Sequence, residues 1–390
     1  MITLLTAEKA LKTVYLGVIG NQLNYGANPL LARIKQTTNN VYGNEIIKGT
    51  SYGMSGGVSA GSEDGLLPKA VNKRYAQFKA TLKNLYGTLE ITDKAIRCSQ
   101  NSAGAFVNLL SDEMDNLIKS SSFNLGRMLY GDGTGILGKI TTATEAGDRD
   151  LLVDDLKFFA INQACKLLNS TNTAYHATYK DVIRIVDIDR ATKTLSTDYG
   201  CVADLKDLKI ASLGFKQELT GLGAIFGSSN TLYGVTKQYN SWIQPYKKDS
   251  VGSITESAIQ TAIDEVNETS GCDIDFIACS ATVRRHYQDA MSTYKRNIDV
   301  MDLQGGFKAL SYNGIPVVKD RFIDSDTMYL LNTKEFELCQ LGDWEWLEGN
   351  DGRIIKQKEG YPIYTATLVK YAELLCNRPN SQAKLSGITG

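Results

Sequence analysis

This 390-residue sequence is short of most things that mark a catalytic or electrostatic protein. Lys plus Arg total 42 and Asp plus Glu 43, leaving a net charge of -1, and no block of like charge breaks the balance. That excludes the footprint of a protein that grips nucleic acid by its phosphates. Only two histidines occur, His176 and His286. A Ser-His-Asp or Cys-His catalyst has to use one of them, but both stand in polar surroundings and read as surface residues. The seven cysteines (Cys98, Cys165, Cys201, Cys272, Cys279, Cys339, Cys376) include no C-x-x-C pair, and their odd, scattered placement fits reduced core thiols. The longest apolar run near the N-terminus, TVYLGVIG, is too short to cross a bilayer and has no cleavage pattern, so neither a membrane span nor a signal peptide is expected. No internal repeat and no Pro-rich linker occur. With 43% apolar residues over this length the chain can bury a sizeable core, in two or three interleaved units.

What is present is extension. After a Thr6 cap, Leu11, Val14, Tyr15, Val18 and Ile19 recur at helical spacing, predicting a short amphipathic helix. Residues 21 to 36, broken by Asn28-Pro29, fit an arm lying on something else. VYGNEIIKGT and KRYAQFKATLKNLYGTLEI are strand-like, and between them SYGMSGGVSAGSEDG, Ser51 to Gly65, is too glycine-rich to pack a core. The three pieces predict a projecting hairpin with a flexible tip at Tyr52, Gly53, Met54, Gly56 and Gly57; ten residues of strand reach about 33 Å.

From Ser102 to Tyr130 apolar residues including Met114, Leu117, Ile118, Leu125 and Leu129 fall on one helical face, opposite Asp112, Asp115 and Lys119. Arg127 suits the last turn and Gly131 a left-handed C-cap. This long helix is read as a spine. Beyond it the texture is mixed α/β. A helix capped by Asp154 or Asp155 is expected through LKFFAINQACKLL. Hairpins are expected at VIRIVDIDRATKTLSTD and at Asn313-Gly314, a capping box at Ser253 and Glu256, and strands toward the C-terminus.

GDGTGILGKITT, with Gly133, Gly138 and Lys139 spaced as G-x-x-x-x-G-K, raises a nucleotide-binding enzyme using the Gly133–Lys139 loop as a reading from another class. The context argues against it: a helix precedes the loop, Ile140 replaces the Ser or Thr that holds magnesium, and no amphipathic helix follows. A glycine hinge at Gly131, Gly133 and Gly135 is the preferred reading. The acidic group Asp148, Asp150, Asp154, Asp155 lacks a calcium-loop pattern and is read as a turn. Trp344 and Trp346 alternate in WEW as packing residues. No catalytic residue, metal or cofactor is expected.

This order of parts resembles the major capsid proteins of tailed bacteriophages, the Hong Kong 97 type of fold. The fold class is then α+β, with an N-terminal arm at 1–40, an extended β-hairpin loop at 41–73 and a peripheral domain beginning at 74–139 with its spine helix at 102–130. An axial α/β domain at 140–343 follows, then a return to the peripheral domain at 344–390. RMLYGDGTG is similar to the junction after the spine, and NGIPVVKDRF to the axial hairpin. The resemblance implies a subunit that assembles with itself through hexamers and pentamers into an icosahedral shell around double-stranded DNA, without sequence-specific binding. It further implies a separate scaffolding protein, a portal, and a virion assembled in the bacterial host cytoplasm. No lysine cross-link is assigned to Lys48, Lys69 or Lys73. An encapsulin-like nanocompartment shell is the alternative within the same fold.

Overall fold

The computed structural model describes residues 28–53, 56–67, 69–95, 103–177, 182–201, 204–294, 300–302, 308–349 and 352–389. For 103–112, 292–294, 300–302 and 308–309 only the backbone is described. The helix expected after Thr6, Met54 and Cys98 lie outside these residues.

The chain is α+β and is organised around three hydrophobic cores. The first is built on the helix Ala103–Tyr130, about 42 Å long at 1.5 Å per residue. Met114, Leu117, Ile118, Leu125 and Leu129 are buried, as the helical spacing requires. Against them lies the strand Lys83–Thr92, whose alternation puts Leu85, Gly87, Leu89 and Ile91 inward. This strand pairs over ten positions, Ala372↔Lys83 to Ile363↔Thr92, with the 14-residue strand Ile363–Cys376. Along its other edge that long strand takes Phe336–Gln340, Glu345–Trp346 and Lys356–Gln357 in turn. Trp344 and Trp346 are buried in this core.

The second core belongs to residues 136–212. Six antiparallel strands run in the order Ile136–Lys139, Lys209–Ser212, Ala164–Leu167, Ile183–Asp189, Thr194–Thr197, Asp150–Leu152. The two end strands then meet through the Ile140–Val153 bridge, with Thr141 N donating to Leu152 O at 2.9 Å and Asp154 N to Lys139 O at 3.0 Å. The sheet is therefore a closed barrel, which removes its free edges, and Phe159, Leu167, Ile185, Leu195 and Ile210 fill it.

The third core lies under a seven-stranded mixed sheet. Its order is Tyr246–Lys248, Ala383–Leu385, Met328–Leu331, Phe276–Cys279, Ile315–Lys319, Lys308–Tyr312, Val300–Asp302. The strand Phe276–Cys279 is wholly buried because both faces are covered. Its two-residue period sends Phe276 and Ala278 into the spine core, and Ile277 and Cys279 toward the helices Glu256–Ser270 and Ala281–Tyr294.

Several expectations are corrected. Residues 140–343, taken as one unit, are shared among the barrel, the seven-stranded sheet and the spine core, which takes Leu222, Ile225, Leu232, Ile243 and the strand Phe336–Gln340. Ala383–Leu385, taken as part of a return to the spine, pairs with Tyr246–Lys248 and Met328–Leu331 instead. LKFFAINQACKLL contains no helix: turns lead into the strand Ala164–Leu167, with Asn162 at φ 63°. Asp154 and Asp155 do accept backbone N–H groups, but Asp154 serves Lys139 N across the barrel seam and Asp155 serves a local turn. The cap of Glu256–Ser270 is Thr255, whose Oγ1 accepts from Ala258 N at 3.1 Å, while Ser253 is in a short strand. The Asn313-Gly314 turn is as expected, with φ of 47° and 81°.

Candidate functional site

Two regions singled out in the sequence differ sharply in chemistry. At the end of the spine, Arg127 donates to Glu218 through Nη1 at 2.8 Å and Nη2 at 2.6 Å, both side chains almost fully buried. The fork geometry makes this pair strong, and burial makes each partner costly to leave alone. Ser212 Oγ donates to the same carboxylate. Around the pair the chain entering the barrel is zipped to the chain leaving it: Lys216 N donates to Thr134 O at 2.7 Å and Ser212 N to Gly135 O at 2.8 Å. Gly133 and Gly135 have φ of 82° and 80°, and a Cβ on Gly135 would come within 2.8 Å of Ser212 Oγ and 3.1 Å of Glu218 Oε1. Gly221 sits on the helix end itself, where a Cβ would collide with the carbonyl oxygens of Met128, Leu129 and Gly131.

One correction follows for Gly131. Its N–H bonds Arg127 O at 3.0 Å and Met128 O at 3.1 Å, but its φ is not left-handed, so it is not the αL cap expected there. Sequence reasoning missed Glu218 and Glu373 altogether. Glu373 accepts from Thr220 N at 2.7 Å and Leu374 N at 2.9 Å, and burial pushes its carboxyl up to about 7. Nothing local in the sequence marks Glu218; for Glu373 the available signal was an isolated Glu in the apolar stretch YAELLC.

The phosphate-loop reading is overturned. Gly138 and Lys139 lie in the strand Ile136–Lys139, where a Cβ on Gly138 would meet the Phe159 ring at 2.9 Å. Lys139 Nζ is 2.6 Å from Asp207 across the barrel surface. Among the described residues no group of His, Cys, Asp and Glu is arranged to hold a metal, and no helix is long and apolar enough to cross a membrane.

The hairpin is the contrasting region. Glu45–Tyr52 pairs with Arg74–Thr81 over eight positions. It is less free than expected, because Tyr52, placed in the tip by its sequence, stacks on Trp242 with centroids 4.6 Å apart and planes 12° from parallel. Phe78 lies 5.8 Å from Trp242 and 5.6 Å from Tyr233. Tyr233 donates its hydroxyl to Leu374 O at 3.0 Å, tying the stack to the long strand. Offset aromatic pairs of this kind add to the area they bury. Beyond this clasp the tip is open. Gly53 has φ 79° and open space around it, Gly56 and Gly57 approach Val71 and Ala70, and Leu66 and Leu67 are 100% and 89% exposed. Upstream, Asn28, Leu30 and Leu31 are buried, and Asn28 Nδ2 donates to Asp320, so this stretch lies on its own chain.

A spine helix against a long-strand sheet, a hairpin, and a second sheet covered by two helices define a class, the Hong Kong 97-type capsid fold. No family model and no curated protein sequence matches the chain. Among solved structures it is similar to the capsid asymmetric unit of cyanophage A-1(L), at 11% identity and a TM-score of 0.56, covering 96% of this chain and 93% of that one. It also aligns with the holo-SrpI encapsulin of Synechococcus elongatus (8% identity, TM-score 0.47, 93% and 88% covered) and with the procapsid of satellite phage P4 (9%, 0.45, 96% and 99%).

Proposed function

We propose that this chain is the shell subunit of a tailed phage, a major capsid protein. The observation that carries the reading is the shared fold with the cyanophage A-1(L) capsid over nearly the whole of both chains. The hairpin supports it: Leu66 and Leu67, exposed in the loop between its paired strands, are apolar surface that a monomer has no reason to display.

In this reading the spine and long-strand sheet are the peripheral part, the seven-stranded sheet is the axial part, and the tip from Gly53 to Gly57 meets a neighbouring subunit. Subunits close hexamers and pentamers into an icosahedral virion shell, which holds double-stranded DNA by enclosure. The near-zero net charge is compatible with that, since enclosure does not require neutralising phosphates. A separate scaffolding protein and a portal are the partners of assembly in the host cytoplasm. Gly131, Gly133 and Gly135 are the joint between spine and barrel. The two chain passages there are hydrogen-bonded to each other, Lys216 N to Thr134 O and Ser212 N to Gly135 O.

Electron microscopy of the expressed full chain, alone and with its scaffold, tests the reading. Capsomers or hollow shells are expected, and a strictly monomeric protein under every condition overturns it. Shells that copurify with a protein cargo and never with DNA would identify a nanocompartment instead. Deleting residues 54–67 should leave a folded chain that assembles poorly.

A further inference from the structure

The unit built on the seven-stranded sheet carries a strongly acidic helix beside an edge strand that exposes Lys247 and Lys248. From Val251 to Asp275 the chain carries six acidic residues and no lysine or arginine. The helix Glu256–Ser270 within that stretch buries Ile259, Ala262 and Val266 and exposes Asp264, Glu265 and Glu268. Its C-terminal half lies over the Tyr246–Lys248 edge of the sheet: the helix packs on that strand and on Ala383–Leu385, and burial together with the charge of Glu265 pushes the Tyr246 phenol up.

The neighbouring helix, Ala281–Tyr294, leans basic, with two arginines to one acid. It buries Val283, Tyr287 and Met291, holds Arg284 half-buried, and exposes Arg285 and Asp289. It covers the other part of the sheet, packing on Ile315–Lys319, and its Tyr287 hydroxyl donates to Ser311 O at 3.2 Å. Lys319 is exposed at the end of that strand. Among the described residues no ion pair joins Asp264, Glu265 or Glu268 to a basic side chain. Arg284 Nε is buried with no hydrogen-bond partner.

An acidic helix over one part of the sheet, with Arg285 and Lys319 exposed over another, is a pattern that suits a head-to-tail contact. In such a contact two different patches of one chain meet, and the repeat closes a ring. The geometry points to a second copy of this chain as the occupant: the acidic helix Glu256–Ser270 of one subunit docks beside the basic helix Ala281–Tyr294 and Lys319 of the next. This rests on the shell reading and specifies which surfaces form its rings. Complementary charge supplies register and encounter rate more than affinity, so the contact is sensitive to salt.

The test uses the full-length protein and follows ring formation by sedimentation velocity and electron microscopy at low and high salt. Glu265→Lys with Glu268→Lys should raise the concentration needed for half-assembly about tenfold at low salt, and Arg285→Glu with Lys319→Glu should do the same. All four substitutions in one chain exchange the two signs and should restore assembly. Restoration supports the inference, since misfolding in either double variant would not be repaired by adding the other. Unmodified protein that forms rings while both double variants assemble normally overturns the inference and leaves the shell reading standing. Unmodified protein that never associates overturns both.

Discussion

The two glycine-rich regions look alike in sequence and do opposite things. At the hairpin tip, Gly53 and Gly61 have open space around them, and glycine supplies freedom. At the spine end, Gly221 and Gly135 are enclosed by carbonyl oxygens and by the Ser212–Glu218 pair, and glycine supplies close approach. The same residue marks a loose element in one place and a clamp in the other. What separates them is what surrounds the backbone, which composition does not report.

The sharpest way to break this comparison is Arg127→Met. It strands Glu218 in a buried site, and we expect a loss of about 3–5 kcal/mol in urea unfolding; a loss below about 1 kcal/mol would mean that the pair is not the clamp. Gly221→Ala comes next. Its methyl group must displace main-chain carbonyls of the helix end, costing about 1–3 kcal/mol, whereas Gly61→Ala at the tip should stay within about 0.5 kcal/mol. Equal effects at the two glycines would erase the distinction.

Glu373 gives a third, pH-dependent contrast. Its folded pKa, about 7, lies above the usual 4.5, so the folded state binds the extra proton between those values. Its contribution is fully present below pH 4.5 and is lost as pH rises through 7, at up to about 1.4 kcal/mol per pH unit. Glu373→Gln should flatten that slope in thermal melts across pH 5 to 8; an unchanged slope would place the titration elsewhere. A modest loss of stability, about 1 kcal/mol, is expected from Tyr52→Ala. Its clearer signature is a change in Trp242 emission, since Tyr52 stacks directly on that ring.

The legible features were those written in local periodicity. The apolar stripe from Met114 to Leu129, the alternation of Leu85, Leu89 and Ile91, and the Asn313-Gly314 turn each follow from residues a few positions apart. The barrel was not legible. Its strands Ala164–Leu167 and Lys209–Ser212 are four residues long and pair with segments far away in sequence, and LKFFAINQACKLL has helical spacing that barrel closure overrides. The clamp was invisible for the same reason, since Arg127 and Glu218 are separated by 91 positions.

By itself, the sequence determined the spine and the hairpin, because amphipathic period and turn residues act over a few residues. Only the tertiary structure decided that residues 136–212 close on themselves, that Ala383–Leu385 joins the seven-stranded sheet, and which glycines are held and which are free. Those outcomes depend on which distant surfaces bury each other, and burial is a property of the whole chain.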